Sequence, residues 1–351
     1  MPDDPSARRP RLTPAVADIR RAVRKALATD LHRSADAPPS IGGALVLVAL
    51  SGGPDSLALA AATAFEAPRA GVRAGAIVVD HGLQQDSAGI ADRAAGQARA
   101  LGLDPVVVTR VDVTGPGGPE SAARTARYRA IDAALDESGA SHALLAHTLD
   151  DQAETVLLGL ARGSGAASLQ GMAPVSGRYL RPLLGIRRAA THRFCADSDL
   201  VPWLDPQNGH SAYTRVRVRQ NVMPVLEAEL GPGVAEALAR TAEQLREDSD
   251  AFQTMIDEVI EDLVEHSEAG ISVSVPALEA NPVALQGRIV RFVVQSEFGV
   301  ALERVHVRAI LALVADWHGQ KPLDLPGFTA ARTGGRLVLS AAPASSAPDR
   351  P

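Results

Sequence analysis

Ala44-Leu-Val-Leu-Val-Ala-Leu-Ser-Gly-Gly-Pro-Asp-Ser56 is the stretch on which the fold turns. Its first seven residues are apolar on both faces and end at Ser-Gly, as in a buried strand of a parallel sheet. Gly52 and Gly53 lack a Cβ, so the backbone can turn tightly and bring its amides close to a ligand. A helix follows from Leu57 to Phe65. Its unpaired first-turn N–H groups and partial positive charge suit a phosphate. Ser51 and Ser56 add hydroxyl donors. Asp55 is at odds with a bare phosphate cradle, because a carboxylate repels phosphate unless Mg²⁺ lies between them. The stretch carries neither a Walker lysine nor G-x-G-x-x-G, which excludes the usual NTPase loop and the dinucleotide fingerprint. An ordinary strand-to-helix turn with Ser or Asp as N-cap is the alternative. The complete hexapeptide Ser51–Ser56 in this setting favours a nucleotide site.

Working outward, strands alternate with helices. Ala76–Asp80, Pro105–Thr109 and His142–Ala146 read as further buried strands. Ser87–Leu101, Pro119–Leu135 and Asp151–Leu160 read as helices, the second with proline in its first turn. The pattern predicts an α/β fold, a doubly wound parallel sheet with helices on both faces. Ligands of such sheets bind at the carboxyl ends of the strands. The polar sequences after Leu50, Val79 and Ala146 fall there. An amphipathic helix over residues 14–28 precedes the sheet, with Val16, Ile19, Val23 and Leu27 at helical spacing and Arg20, Arg21, Arg24 and Lys25 between them.

Past Leu226 the character changes. Residues 227–268 hold thirteen acids against Arg240 and Arg246, with apolar residues at helical spacing, and predict one or two acidic helices. A strand (Ile271–Val275), two helices (Val283–Phe298 and Glu303–Asp316) and a closing strand (Arg336–Ser340) make a small α+β domain. The expected organisation is residues 1–38, N-terminal helix and a linker around Ala35–Ser40; 39–226, nucleotide-binding domain; 227–270, acidic helical linker; 271–340, small α+β domain; and 341–351, a disordered Pro/Ser/Ala tail.

Composition excludes several classes. The 351 residues are 46% hydrophobic, enough for a packed core, and Gly plus Pro are too few for a low-complexity chain. Aromatics, at 3%, are too scarce for binding bases chiefly by stacking. Cys195 is the only cysteine, so there is no internal disulfide, CxxC pair or thiolate zinc site. The longest apolar run, Ile41–Leu50, is far short of a membrane span, and Met-Pro-Asp-Asp lacks the regions of a signal peptide. A soluble cytoplasmic protein is expected. The net charge of −6 disfavours indiscriminate polyanion binding. Yet residues 178–219 carry eight arginines against three aspartates. These are either a solvated face or a nucleic-acid backbone footprint, since planar guanidiniums suit phosphates.

Ser51-Gly-Gly-Pro-Asp-Ser56 resembles the PP-loop of the N-type ATP pyrophosphatases, whose fold is the adenine-nucleotide α-hydrolase-like sheet. Further stretches narrow the resemblance to tRNA(Ile)-lysidine synthetases: Val79-Asp-His-Gly-Leu83; Glu120-Ser-Ala-Ala-Arg-Thr-Ala-Arg-Tyr128; Ala146-His-Thr-Leu-Asp-Asp-Gln-Ala-Glu-Thr155; Arg181-Pro-Leu-Leu184; Trp203-Leu-Asp-Pro-Gln-Asn208; and Tyr213 to Arg219. The likeness is close over residues 44–226 and looser beyond. Gln84, Thr148 and Val216 depart from the family's usual residues.

The resemblance implies a reaction. ATP adenylates the carbonyl oxygen at carbon 2 of the wobble cytidine in the CAU anticodon of tRNA(Ile), and pyrophosphate leaves. The ε-amine of free lysine then attacks carbon 2 and expels AMP. ATP and Mg²⁺ are the implied cofactors, and tRNA(Ile) and L-lysine the partners; no membrane is involved, and a homodimer is allowed. Asp55, His147, Asp150, Asp151 and Glu154 are the implied catalytic set, with Asp55 and Asp151 as metal candidates. Helix capping by Asp151 or Thr148 competes with that reading, and which acid meets Mg²⁺ and which the lysine ammonium stays open. His81, Arg124 and Arg127 are candidates for substrate or phosphate contact. Arg178, Arg181, Arg187, Arg188, Arg215, Arg217 and Arg219 are candidates for the tRNA backbone. Trp203 is a core residue or a base platform. A PP-loop thiolase and a non-catalytic nucleotide-binding module are the alternatives. The first ordinarily needs paired cysteines, and the second has no use for the acids at 150–154.

Overall fold

The computed structural model describes residues 12–31, 43–82, 86–113, 118–163, 165–205, 213–267 and 270–342. The expected linker at 35–40, Gln84, the end of the Trp203–Asn208 motif and the tail beyond 342 lie outside the described residues. The chain forms two compact units, residues 1–245 and 246–351.

In the first unit, α1 (Pro14–Lys25) leads to β1 (Leu45–Ala49), α2 (Pro54–Glu66), β2 (Arg73–Asp80), α3 (Ser87–Ala100), β3 (Val106–Arg110), α4 (Pro119–Ser138), β4 (His142–Leu144) and α5 (Leu149–Ala161). Then follow α6 (Ala166–Leu169), β5 (Val175–Ser176), β6 (Tyr179–Leu180), α7 (Arg188–Asp197), α8 (Thr214–Arg217) and α9 (Met223–Glu229). A π-helical turn, Val218–Val222, joins α8 to α9. The sheet order is β3-β2-β1-β4-β6-β5. β1 pairs in parallel with β2 and β4, β2 with β3, and β4 with β6. Only the edge differs from the predicted parallel sheet: β5 and β6 form an antiparallel hairpin.

Both faces of β1 are buried, as its uninterrupted apolar run requires. Val46 and Val48 point into a core shared with α1, α2, α3 and α7, including Ile19, Leu57, Ala94 and Phe194. Leu45 and Leu47 point the other way, against Ile77 and the α4 residues Ile131 and Leu135. Each such buried aliphatic contributes about 1.5–3 kcal/mol relative to exposure. This double burial holds the carboxyl end of β1, and so the phosphate loop, in place.

α10 (Val234–Leu263) is one helix of 30 residues. The second unit then continues with β7 (Val264–Ser267), β8 (Gly270–Ser274), α11 (Val275–Glu279), α12 (Val283–Phe298), α13 (Arg304–Ala315), β9 (Leu323–Leu325), β10 (Phe328–Thr333) and β11 (Arg336–Ala341). Its antiparallel sheet runs β7-β8-β11-β10-β9 and packs Val273, Phe328, Leu337 and Leu339 against Ile289, Val293 and Ile310. The small α+β domain therefore has five strands where the sequence pattern predicts two. Among the described residues, no helix is long and apolar enough to cross a membrane.

Candidate active site

The loop after β1 is tied by its own hydroxyls. The Ser51 N–H donates to Ser56 Oγ at 3.2 Å, and Ser56 Oγ donates to the Gly53 carbonyl at 3.0 Å. Gly52 has φ +83°, a left-handed conformation that favours glycine, and a Cβ there would sit 3.5 Å from Ala94 Cβ. Gly53 is the N-cap of α2 and Pro54 its first residue. The loop opens into a cavity of about 340 Å³ at the carboxyl ends of β1, β2 and β4. Ser51, Asp55 and Ser56 line the end at the loop; Ile77, Val79, Ile131 and Leu145 give an apolar wall; His81, Arg127 and His147 add polar groups. Trp203 lines it too and donates its backbone N–H to the Gly52 carbonyl at 2.9 Å. This half-buried residue is thus part of the cavity wall rather than the core.

Asp55 faces α7. Thr191 Oγ1 donates to Asp55 Oδ1, and Arg188 Nε lies 3.7 Å from Asp55 Oδ2. Burial raises the Asp55 carboxyl above its ordinary range, and the Thr191 bond and Arg188 only partly oppose it. A carboxylate so situated gains from a further cation. Among the described residues no three His, Cys, Asp or Glu side chains form a metal cage. Mg²⁺ ordinarily takes one or two carboxylates plus phosphate oxygens, so Asp55 fits that role with a bound triphosphate.

The acids at 150–154 open α5, as predicted. Thr148 and Asp151 form a capping box: Thr148 Oγ1 accepts from the Asp151 N–H at 3.3 Å, and Asp151 Oδ2 accepts from the Thr148 N–H at 2.8 Å. Capping therefore accounts for one oxygen of one acid. The other, Oδ1, accepts from Arg188 at 2.7 Å and Arg219 at 3.2 Å. Burial acts to raise the Asp151 carboxyl, but Arg188, the Thr148 donors and Arg219 outweigh it and hold it below the usual range. Glu154 is 1% exposed. It accepts from Arg219 Nε at 2.7 Å and Arg188 Nη1 at 3.3 Å, with Arg215 Nε 3.5 Å away. Asp150 accepts from the Arg188 backbone N–H at 2.7 Å and pairs with Arg187 at 3.2 Å. A second cavity of about 300 Å³ lies over these groups, bounded by Asp150, Glu154, Arg187, Arg188, Arg219 and Glu227.

Their surroundings push the histidines of the site toward the neutral form. Burial first, then Arg127, Arg181 and Arg124, lower the His147 imidazolium from 6.5 to about 3 against the pull of Asp151. His81 is lowered by burial and by Arg127. In both, Nδ1 is buried without a hydrogen-bond partner, and both residues line the cavity. Arg127 stands on the cavity wall among like charges from Arg124 and Arg215. Arg124 lies over the Tyr128 ring, 5.0 Å from its centroid.

The seven arginines proposed for RNA are not one surface. Arg178 donates to the Ala140 carbonyl at 2.7 Å and to Asp136 at 2.5 Å. Arg181 is buried and donates to the Ala173 carbonyl at 2.8 Å. These two tie β6 to its surroundings. Arg187, Arg188, Arg215 and Arg219 converge on the α5 acids, and Arg217 is exposed, donating to Thr214 at 3.0 Å. Sequence counting registers charge but not pairing. It also passed over Thr191 and Asp80; the latter is buried at the cavity and accepts from the Gly82 N–H at 2.9 Å. Asp80 lay inside a quoted motif, whereas Thr191 had no sequence signal. Cys195 is buried, donates to the Pro54 carbonyl at 3.4 Å, and has its thiol pushed up to about 11 by burial, then by Asp55. It is a packing residue.

Comparison with known proteins bears on the same residues. A family profile described as "PP-loop domain" matches residues 25–226, and one described as "TilS substrate binding domain" matches residues 274–338. A tRNA(Ile)-lysidine synthase of Leifsonia xyli is 63% identical over 309 residues, covering 88% of this chain and 93% of that protein. The tRNA(Ile)-lysidine synthase of Thermobifida fusca is 48% identical over 331 residues, covering 93% and 98%. Among solved structures, the U34-tRNA thiolase NcsA of Methanococcus maripaludis, described with its 4Fe-4S cluster, has a TM-score of 0.54 at 20% identity, over 66% of this chain and 80% of that one. That likeness bears on the fold alone.

Proposed function

The chain belongs to the tRNA(Ile)-lysidine synthase family, and from that premise we propose how its residues carry the ATP-dependent ligation of lysine to tRNA(Ile). It is a carbon–nitrogen ligase with a PP-loop ATP-binding domain. Neither a thiolase nor a non-catalytic nucleotide module is favoured. The observation that carries the residue assignment is the meeting of two constellations. The phosphate loop after β1 and the acids at the start of α5 face each other, joined through Arg188.

In this reading ATP lies in the larger cavity, its base against Ile77, Val79 and Leu145 and its phosphates on Ser51–Ser56. Asp55, with Asp151 nearby, would hold Mg²⁺, which would neutralise the charge of the departing pyrophosphate. Arg127, with Arg124 behind it, faces the phosphates. Neutral His81 and His147 offer ring nitrogens to the nucleotide. The wobble cytidine of the CAU anticodon presents the carbonyl oxygen of its carbon 2 to the α-phosphorus, and the adenylated carbon is then open to an amine. Asp150, Asp151 and Glu154 hold the lysine ammonium, and these carboxylates receive the proton it must lose before attack. Loss of AMP completes the ligation. Arg217 at the surface, with the outer edges of Arg187, Arg215 and Arg219, meets the RNA backbone. The small α+β domain is the second tRNA-binding element, and a homodimer is checked by sedimentation of the full chain.

Two measurements test the reading. ATP–pyrophosphate exchange should require both Mg²⁺ and tRNA(Ile) with a CAU anticodon. Digestion of the product RNA should give a wobble nucleoside heavier than cytidine by one lysine less one water. Exchange without RNA, or an unmodified nucleoside after full ATP consumption, would overturn it.

A further inference from the structure

The acids assigned to the incoming amine, and Asp55 beside them, are already paired with cations. Asp55, Asp151 and Glu154 bring three carboxylates, and Arg188, Arg215 and Arg219 bring three guanidiniums within 4 Å of them. Asp151 uses both oxygens, Oδ2 on the Thr148 cap and Oδ1 on two arginines. An ammonium arriving here meets no unpaired carboxylate. It can bind only where a guanidinium leaves, since adding a cation to a neutralised and largely buried cluster gains little attraction for its lost hydration.

The three arginines differ in reach. Arg215 meets Glu154 alone, and Arg219 meets Asp151 and Glu154. Among the described residues, Arg188 is the one that meets all three acids: Asp151 at 2.7 Å, Glu154 at 3.3 Å and Asp55 at 3.7 Å. Its backbone is fixed as the first residue of α7, with its N–H on Asp150 at 2.7 Å and Thr191 of the same helix on Asp55. The guanidinium can therefore change partners while the helix stays. Its Nε side faces Asp55 and the phosphate loop; its Nη side faces the amine acids. A triphosphate on the loop puts several negative charges on the Nε side, which a guanidinium pairs with readily.

We propose that Arg188 is a positioning residue that couples the two small-substrate sites. In the free enzyme it holds the place of the lysine ammonium on Asp151 and Glu154; with nucleotide on the phosphate loop it moves toward the phosphates and releases those carboxylates to lysine. This rests on the reading of Asp151 and Glu154 as the amine-binding acids. Lysine binding is then weak without nucleotide and strong with it. By linkage, lysine strengthens nucleotide binding by the same factor.

The test is calorimetric titration of L-lysine into the full chain, with and without Mg²⁺ and an ATP analogue whose α,β bridge cannot be cleaved. For the wild type the analogue should strengthen lysine binding by about five-fold or more, within the usual span of allosteric coupling. In Arg188→Gln the factor should fall to about one, with lysine bound more tightly than by wild type when nucleotide is absent. Arg188→Lys, which keeps the charge but loses the fork, should retain part of the coupling. A wild-type factor of one overturns the proposal with no variant needed. So does an Arg188→Gln chain that keeps the wild-type factor, or one that binds lysine more weakly in both states, as a merely structural tie predicts. Asp151→Asn and Glu154→Gln separate this from the underlying reading: lysine binding untouched by both removes the amine assignment itself.

Discussion

Asp55 is held where the folded protein does not favour its charge. Burial raises its carboxyl above 3.8, so the folded state binds that proton more tightly than the unfolded one. A raised acid of this kind adds stability below the unfolded value and loses it as pH climbs through the folded value, so at neutral pH Asp55 is a cost to the fold. Asp55→Asn should therefore raise the thermal midpoint while lowering pyrophosphate release by about 10²-fold or more, the scale of losing one electrostatic group. Mg²⁺ with the ATP analogue should raise the midpoint of the wild type and not of the variant. A less stable or fully active variant contradicts this. His147 acts with the opposite sign. Its imidazolium lies near 3 in the fold against 6.5, so the stability it contributes is complete above 6.5 and drains away as pH falls toward 3. His142 adds to the same limb. It is 1% exposed, both ring nitrogens lack a partner, and its imidazolium is lowered by burial and by Arg178. Within its window His147 steepens the loss by up to about 1.4 kcal/mol per pH unit. His147→Asn should flatten the urea midpoint between pH 6.5 and 4.5; an unchanged slope would assign the acid limb to other groups.

At the scale of elements, the capping box of α5 fixes one carboxylate oxygen of Asp151 at the start of the helix. Thr148 stands where the resemblance leads one to expect histidine, and its hydroxyl meets the Asp151 N–H and carboxylate. Thr148→Ala should cost about 1 kcal/mol of stability through the lost cap, and Thr148→Ser should restore it. Denaturant unfolding of the two variants checks this, and a neutral alanine variant would show that Asp151 needs no cap. The same elements show what was legible. β1, the phosphate loop and α2 could be read because a short apolar run, a glycine pair and a proline each carry a local cause. The β5–β6 hairpin could not, since strands of two residues have no period. β7, β9 and β10 are similarly short or half exposed. The site divides the same way. The acids of α5 announced themselves by spacing, but Thr191 reaches Asp55 across 136 residues of chain. Arg188 was legible as a charge and not as the partner of three acids, because pairing is a property of the folded helix packing. α10 was read as one or two helices. Residues 227–267 hold the end of α9, the single helix α10 and the strand β7, and Glu227 caps α10 by accepting from the N–H groups of Gly233, Val234 and Ala235.

The whole molecule is acidic, yet it belongs to a family that acts on RNA, so its phosphate contacts must be local. Each unit supplies a candidate. In the first, Arg217 is exposed beside the paired arginines of the site. The second holds fifteen acids against nine Lys and Arg, yet Arg288 and Arg291 of α12 and Arg304 of α13 crowd one another. Burial and then these two neighbours lower the Arg291 guanidinium, and among the described residues none of the three pairs with a carboxylate. Unneutralised like charges at close range are the pattern a phosphate backbone relieves. Arg217→Ala should reduce the slope of log affinity for tRNA against log salt by about 0.7–0.9, and Arg291→Ala with Arg304→Ala by about twice that. The two changes lie in separate units, so their effects should add in the triple variant. Lysine and nucleotide affinities measured without RNA should stay at wild-type values, because these residues are assigned to the RNA and not to the phosphate loop. A triple variant with the wild-type salt slope would remove both faces from the RNA footprint and return the contact to the arginines already paired in the site, which would then have to exchange carboxylate for phosphate on binding.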